Sequence, residues 1–209
     1  MKKIASPQIV KAALGICFLL LGQMGLSQCQ ENAEKFQKKL DKQYRSARHS
    51  PLTDEDRAHF THLDYYPINA DFCLEAKWVP TPEESPFEMP TSNVERNKTF
   101  VKYGELHFAI RGEKMKLNVY QNLKVVQKRK YRNHLFIPFT DLTTGEDSYG
   151  GGRYIDWEAP KDGEPAVLDF NQCYNPYCAY STGWSCPIPP KENFLDVRVE
   201  AGVKAWKDH

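Results

Sequence analysis

Hydrophobic positions recur at two different spacings along this chain. Between Glu31 and Ala47 they fall at Ala33, Phe36, Leu40 and Tyr44, with Lys, Gln and Glu between them. Steps of three and four predict an N-terminal helix lying on a surface by one narrow apolar stripe. Ser50-Pro51 ends it, because the residue before a proline is driven out of helical geometry. Thr53 followed by Asp56 reads as a capping box with Asp in place of Glu, opening a short helix to about Phe60.

From about residue 72 the spacing becomes two. Phe72, Leu74, Ala76 and Trp78 alternate with Cys73, Glu75 and Lys77, and Leu106, Phe108 and Ile110 with Glu105, His107 and Arg111. Met115, Leu117 and Val119 alternate with polar neighbours, and Gly112-Glu113-Lys114 reads as a three-residue hairpin turn joining the last two segments. Further strands are expected at Leu123 to Lys130, Leu135 to Phe139, Arg153 to Trp157, Ala166 to Phe170 and Leu195 to Val199. Pro80 to Asn97, with four prolines, reads as a long loop. Seven or eight short strands with almost no helix between them predict a mainly β protein, an antiparallel sandwich or barrel-like sheet carrying an N-terminal surface helix.

Length adds the prospect of a single β-rich domain, residues 51–209, behind a helix at 29–50 and a leader at 1–28. Lys2, Lys3 and Lys11 precede the apolar run Ala12 to Leu21, and small and polar residues follow. That is the form of an export signal, too short at about ten apolar residues to span a bilayer. Leu26-Ser27-Gln28-Cys29 resembles a lipobox with Cys29 as the lipidated residue, though Gln28 is bulky for it; ordinary cleavage after Ser27 is the other route. Export implies the periplasm, or an envelope membrane reached only through a lipid on Cys29. Without the leader the chain has 25 basic and 27 acidic side chains. So even a balance gives no broad field for nucleic acid.

Turn formers, rings, amides and cysteines crowd together between Leu135 and Asn193. In Ser148-Tyr149-Gly150-Gly151-Gly152-Arg153 the glycines could turn backbone N–H groups inward as an anion nest, with Arg153 holding a carboxylate or phosphate. The bland alternative is a glycine bulge with Arg153 paired to Asp156 or Asp169. Asp169 and Asn171 share a strand face, so Asp169 could serve as a general base beside an amide donor; equally, both could satisfy loop backbone. Cys178 and Cys186 are the default disulfide of an exported protein, with Cys73 paired to Cys173 or free. The cysteine spacing lacks the pairs of a zinc site, so neither a metal nor a cofactor is expected. No histidine is obviously placed for a triad, and Lys128-Arg129-Lys130 with Arg132 reads as a solvated turn.

The segments Phe136 to Asp141, Thr143 to Tyr154, Asp169 to Cys178 and Cys186 to Asn193 resemble the motifs of a bacterial family, domain of unknown function 1684. The resemblance covers about residues 48–207. Two positions depart from it: Cys173 replaces a small residue, and Val203 stands where many members carry an acid. The resemblance implies no activity. The expectation from the residues is an exported protein binding a small polar or anionic ligand among Tyr149, Gly151, Arg153, Asp169, Asn171, Tyr174 and Asn193. The alternatives are a hydrolase or lyase using Asp169 and Arg153 as catalytic groups, or a structural protein of the cell envelope.

Overall fold

A computed structural model describes residues 27–207, so the apolar leader run lies outside the described residues. Helix α1 occupies 27–45 and buries Ala33, Leu40 and Tyr44 of the predicted stripe, with Phe36 partly buried. Helix α2 (Asp54–His59) starts at Thr53, whose hydroxyl accepts from the Asp56 amide at 3.1 Å. Eight strands follow: β1 (Cys73–Pro80), β2 (Phe87–Met89), β3 (Lys98–Ile110), β4 (Glu113–Asn122), β5 (Leu135–Asp141), β6 (Arg153–Trp157), β7 (Ala166–Asp169) and β8 (Phe194–Leu195). They form one sheet in the order β6-β5-β4-β3-β1-β7, antiparallel along this path. β2 adds antiparallel to β3, and β8 adds parallel to β5.

The sheet curls into a half-barrel. Its terminal strands meet across a seam, where the Trp157 indole of β6 donates to the Val167 carbonyl of β7 at 2.8 Å. Leu106, Phe108, Ile110, Leu117, Val119, Leu135, Ile137, Phe139, Ile155 and Leu168 point into the curl and form the main core. The fold is thus the mainly antiparallel β architecture expected, with its N-terminal helix.

The opposite face of the same strands is also apolar. Met89, Phe100, Tyr120, Phe136 and Tyr154 form a second buried cluster there. Phe100 and Leu106 are separated by an even number of residues and would share a face in a regular strand. A β-bulge between Lys102 and Gly104 inserts one residue and sends Phe100 to the outside while Leu106 stays inside. Gly104 is obligatory at that point: a Cβ would lie 2.7 Å from the Val79 carbonyl oxygen and against the Trp78 ring.

Several boundaries differ from the sequence expectation. The β3–β4 turn is two residues, Arg111-Gly112, with Ile110 paired to Glu113; both turn residues have positive φ, as the tight hairpin twist demands. Leu123 to Lys130 is not a strand but part of a turn-rich connection running to His134. Val125 lines the groove described below, so apolar content there did not signal sheet. Pro80 to Asn97 carries β2 and a 3-10 turn at Val94–Arg96. Beyond Leu195 the last expected strand gives way to irregular chain, because β8 has only Thr140 and Asp141 of β5 to pair with.

Disulfides join Cys29 to Cys73 and Cys178 to Cys186. The second is the expected pair. The first removes the Cys73–Cys173 alternative and engages the Cys29 sulfur, the same atom a lipid would need. It ties the start of α1 to the start of β1. Cys173 is free and buried. Among the described residues no helix is long and apolar enough to cross a membrane.

Candidate functional site

The residues singled out from the sequence do not converge. Arg153 points into the barrel and is fully buried. Its guanidinium donates to the Ala201 carbonyl at 2.6 Å, the Val199 carbonyl at 2.8 Å and Asp141 Oδ1 at 3.1 Å. Its ion pair is therefore with Asp141, not Asp156 or Asp169. Asp141 is itself held by the Val199 amide and by Thr143. No group of Arg153 is left facing an opening where a ligand anion could enter. Gly152, at φ 81°, lies against the Phe139 carbonyl, and its amide closes a turn onto Tyr149. The glycine run is accordingly a tight turn under Arg153; Gly151 is exposed and Tyr149 is partly buried against the α1 side.

Asp169 accepts from the Asn171 amide, the Asn171 side chain and Gln172, which caps a 3-10 turn. It borders a hollow of about 540 Å³ at the seam, together with Cys29, Cys73 and Trp157, and makes no contact with Arg153. Asn171 spends both ends of its amide on the Asn69 backbone. Asn193 does the same with Asn118 and donates also to Pro138. As a catalytic pair, Arg153 and Asp169 are thus corrected by the geometry: they do not meet, and each is held by its own partners, with only the buried Arg153 Nε left without one among the described residues.

Tyr174 is different. It lies on a groove of about 560 Å³ outside the barrel, between the outer face of β3–β6, α1, the 123–134 connection and the loop 174–187. Phe100, Phe136 and Tyr154 of the outer-face cluster form its floor, with Tyr154 edge-on to Phe136 at 4.7 Å and to Tyr174 at 5.9 Å. Tyr177 and Trp184, 4.9 Å apart, stand on the loop wall, which the Cys178–Cys186 disulfide pins. Nine lining residues carry aromatic rings. Flat apolar walls with few polar groups are the usual make-up of a small-molecule site.

Polar side chains break this lining, Lys98, His134 and Asp156 among them. Lys98 reaches from β3 to the Ser185 carbonyl, and burial lowers its pKa from the ordinary lysine value. Asp156 Oδ1 receives the Tyr174 hydroxyl at 2.8 Å and His134 Nε2 at 2.9 Å. Burial first, then the Asp156 charge, pushes the Tyr174 phenol well above its usual range, so it acts as a neutral donor.

Among the described residues, Lys39 and Lys98 are the cations that line the groove, and Asp156 is its one acid. Residues 35–48 and 123–134, which supply two of its walls, carry eleven Lys and Arg and one acid, Asp41. Asp41 turns inward, accepting from the Leu63 amide at 3.0 Å and the Tyr65 hydroxyl at 2.9 Å. The rest of the chain past the leader has 14 basic against 26 acidic residues. A positive sector of this kind raises the local concentration of anions at the groove mouth.

Residues 58–204 match the model of a family described as a protein of unknown function, DUF1684. The chain belongs to that family. A solved structure similar to this DUF1684 member is the solution NMR structure of an uncharacterised protein from Haloarcula marismortui, 31% identical, covering 88% of this chain and 95% of that one, with a TM-score of 0.66. No curated protein matches the chain.

Of the catalytic and ligand-binding residues expected from the sequence, the groove takes only Tyr174, together with Cys186 of the expected disulfide. Phe136 and Tyr154, within the DUF1684 motifs, are the polar-phase positions of their strands and could have announced an apolar outer face. His134 and Asp156 carry no local signal, since 22 residues separate them.

Proposed function

We propose that this DUF1684 protein acts outside the cytoplasm and binds a small anionic molecule carrying a flat ring in the groove between α1, the outer sheet face and the disulfide-pinned loop. The observation that carries this reading is the coincidence of a nine-ring groove with the basic sector of an otherwise acidic chain. Rings stack on the ligand, and Lys98 with the surrounding cations selects its charge. The leader's form and two disulfides support export, since such bonds persist in oxidising compartments.

The test is calorimetric titration with 6-acetamido-2-naphthoate and, in parallel, its neutral parent 2-acetamidonaphthalene. The naphthoate binds more tightly, and Lys98→Ala weakens it by about tenfold, or 1.4 kcal/mol, leaving the neutral compound unchanged. Affinity for the naphthoate falls as salt rises. Equal binding of both compounds, or no salt dependence, refutes the anionic selectivity; no binding of either refutes the site.

A further inference from the structure

We infer that His134 and Asp156 form a general-base dyad in this groove and that the protein hydrolyses esters of ring-bearing anions; the inference rests on the binding reading above and adds chemistry to it.

The tautomer of His134 follows from its partner. An ionised carboxylate only accepts, so the ring nitrogen facing Asp156 Oδ1, Nε2, must carry the hydrogen. In the neutral ring the lone pair then sits on Nδ1. That atom is shielded from solvent and has no hydrogen-bond partner among the described residues. A histidine used only as a brace spends both nitrogens, because an unmet buried acceptor costs about 1–3 kcal/mol. Here one nitrogen is held and the other is kept unspent at the wall of a cavity. Tyr131 stands beside it, its ring edge-on 6.1 Å away, partly exposed and capped by Lys130, and the proposal requires this ring to turn aside to admit water.

Asp156 is fixed in turn by the Tyr174 hydroxyl, which enters from the opposite loop. The chain Tyr174–Asp156–His134 therefore sets ring orientation and steadies the imidazolium that forms when Nδ1 takes a proton. Lys98 lines the same groove and supplies a positive group for developing negative charge.

The step balances with water as the only co-reactant. Nδ1 removes a proton from water as the water oxygen bonds to the ester carbon. The carbonyl π pair moves onto its oxygen. When that pair returns, the bond from carbon to the leaving oxygen breaks, and the proton on Nδ1 passes to the leaving oxygen. Ester and water become acid and alcohol, with His134 neutral again. His134 is the catalytic residue, and Asp156 and Tyr174 are positioning residues.

The probe is 6-acetoxy-2-naphthoate, with 6-acetamido-2-naphthoate as the slowly reacting analogue for affinity. The wild-type protein releases 6-hydroxy-2-naphthoate faster than buffer. His134→Ala lowers kcat/KM by at least about a hundredfold, the usual share of a general base, with analogue affinity within threefold. Added imidazole restores part of the rate in His134→Ala and none in wild type. Asp156→Asn lowers kcat at constant KM and displaces the pH–rate profile, which a merely structural role does not do. The dyad is overturned if His134→Ala keeps the wild-type rate, if Asp156→Asn lowers the rate without displacing that profile, or if the wild type binds the analogue and does not turn over the ester. In those cases the binding reading stands. Failure of the wild type to bind the analogue overturns both readings.

Discussion

Replacing Arg153 by Met tests whether the most conspicuous polar residue of the glycine-rich segment is a brace. The guanidinium is fully buried, with Asp141 at 3.1 Å and two backbone carbonyls at 2.6 and 2.8 Å. Its removal strands a buried carboxylate and takes one donor from each of the Ala201 and Val199 carbonyls, which keep the Cys173 thiol and the Ala201 amide respectively. Breaking one side of a buried pair costs about 3–5 kcal/mol. The lower end applies here, because Asp141 keeps the Val199 amide at 2.7 Å and the Thr143 donors. For a chain of this size about 3 kcal/mol lowers Tm by roughly 6–12 °C. Asp141→Asn should cost a similar amount by stranding the cation instead. The double variant should cost at least about 2 kcal/mol less than the two singles summed, since neither charge then lacks its partner. Urea unfolding under non-reducing conditions measures all three. Naphthoate affinity should stay unchanged in Arg153→Met. A loss under 1 kcal/mol, additive singles, or weakened naphthoate binding at wild-type stability would refute the bracing role.

Other outcomes follow from the same geometry. Cys29→Ser with Cys73→Ser opens a loop of sequence separation 44 and should cost up to about 4 kcal/mol on chain-entropy grounds; intact mass of the oxidised wild type should show two disulfides and no lipid adduct. Burial pushes the Cys173 thiol up to about 11, so iodoacetamide should label it only in unfolded protein, read by peptide mass. The Lys102 hydrogen bond, then Lys116, depresses the Glu105 carboxyl from 4.5 to about 2. Its contribution is therefore present above pH 4.5 and lost as pH falls toward 2. Glu105→Gln should lower stability at neutral pH and flatten that acid limb in urea melts.

The barrel was legible because its inner residues obey a period of two, and Arg153–Trp157 was placed to the residue. The amphipathic stripe of α1 was equally plain. The groove was not legible. Its floor sits at Phe100, Phe136 and Tyr154, and a bulge hides Phe100 by shifting the phase of β3 midway. The basic sector was read as two unrelated solvated stretches, since only tertiary packing sets α1 beside the 123–134 connection. Arg153, Asp169, Asn171 and Asn193 attracted functional readings for a sound reason, their polarity in a ring-rich context. Yet Asn171 and Asn193 each bond main-chain groups on other segments, 102 and 75 residues away, and spacing along the chain cannot reveal such ties.

Because β4, β5 and β6 carry apolar side chains on both faces, adjacent positions in one strand answer to separate demands. Ile137 and Ile155 serve the interior, while Phe136 and Tyr154, one step away, shape the recess outside. Selection can then rewrite what the recess accepts by altering alternate letters of a strand and leave the barrel's own jigsaw intact. A library that exchanges only aromatic and large apolar residues at Phe100, Phe136 and Tyr154 would reshape the recess while leaving Ile137 and Ile155 untouched.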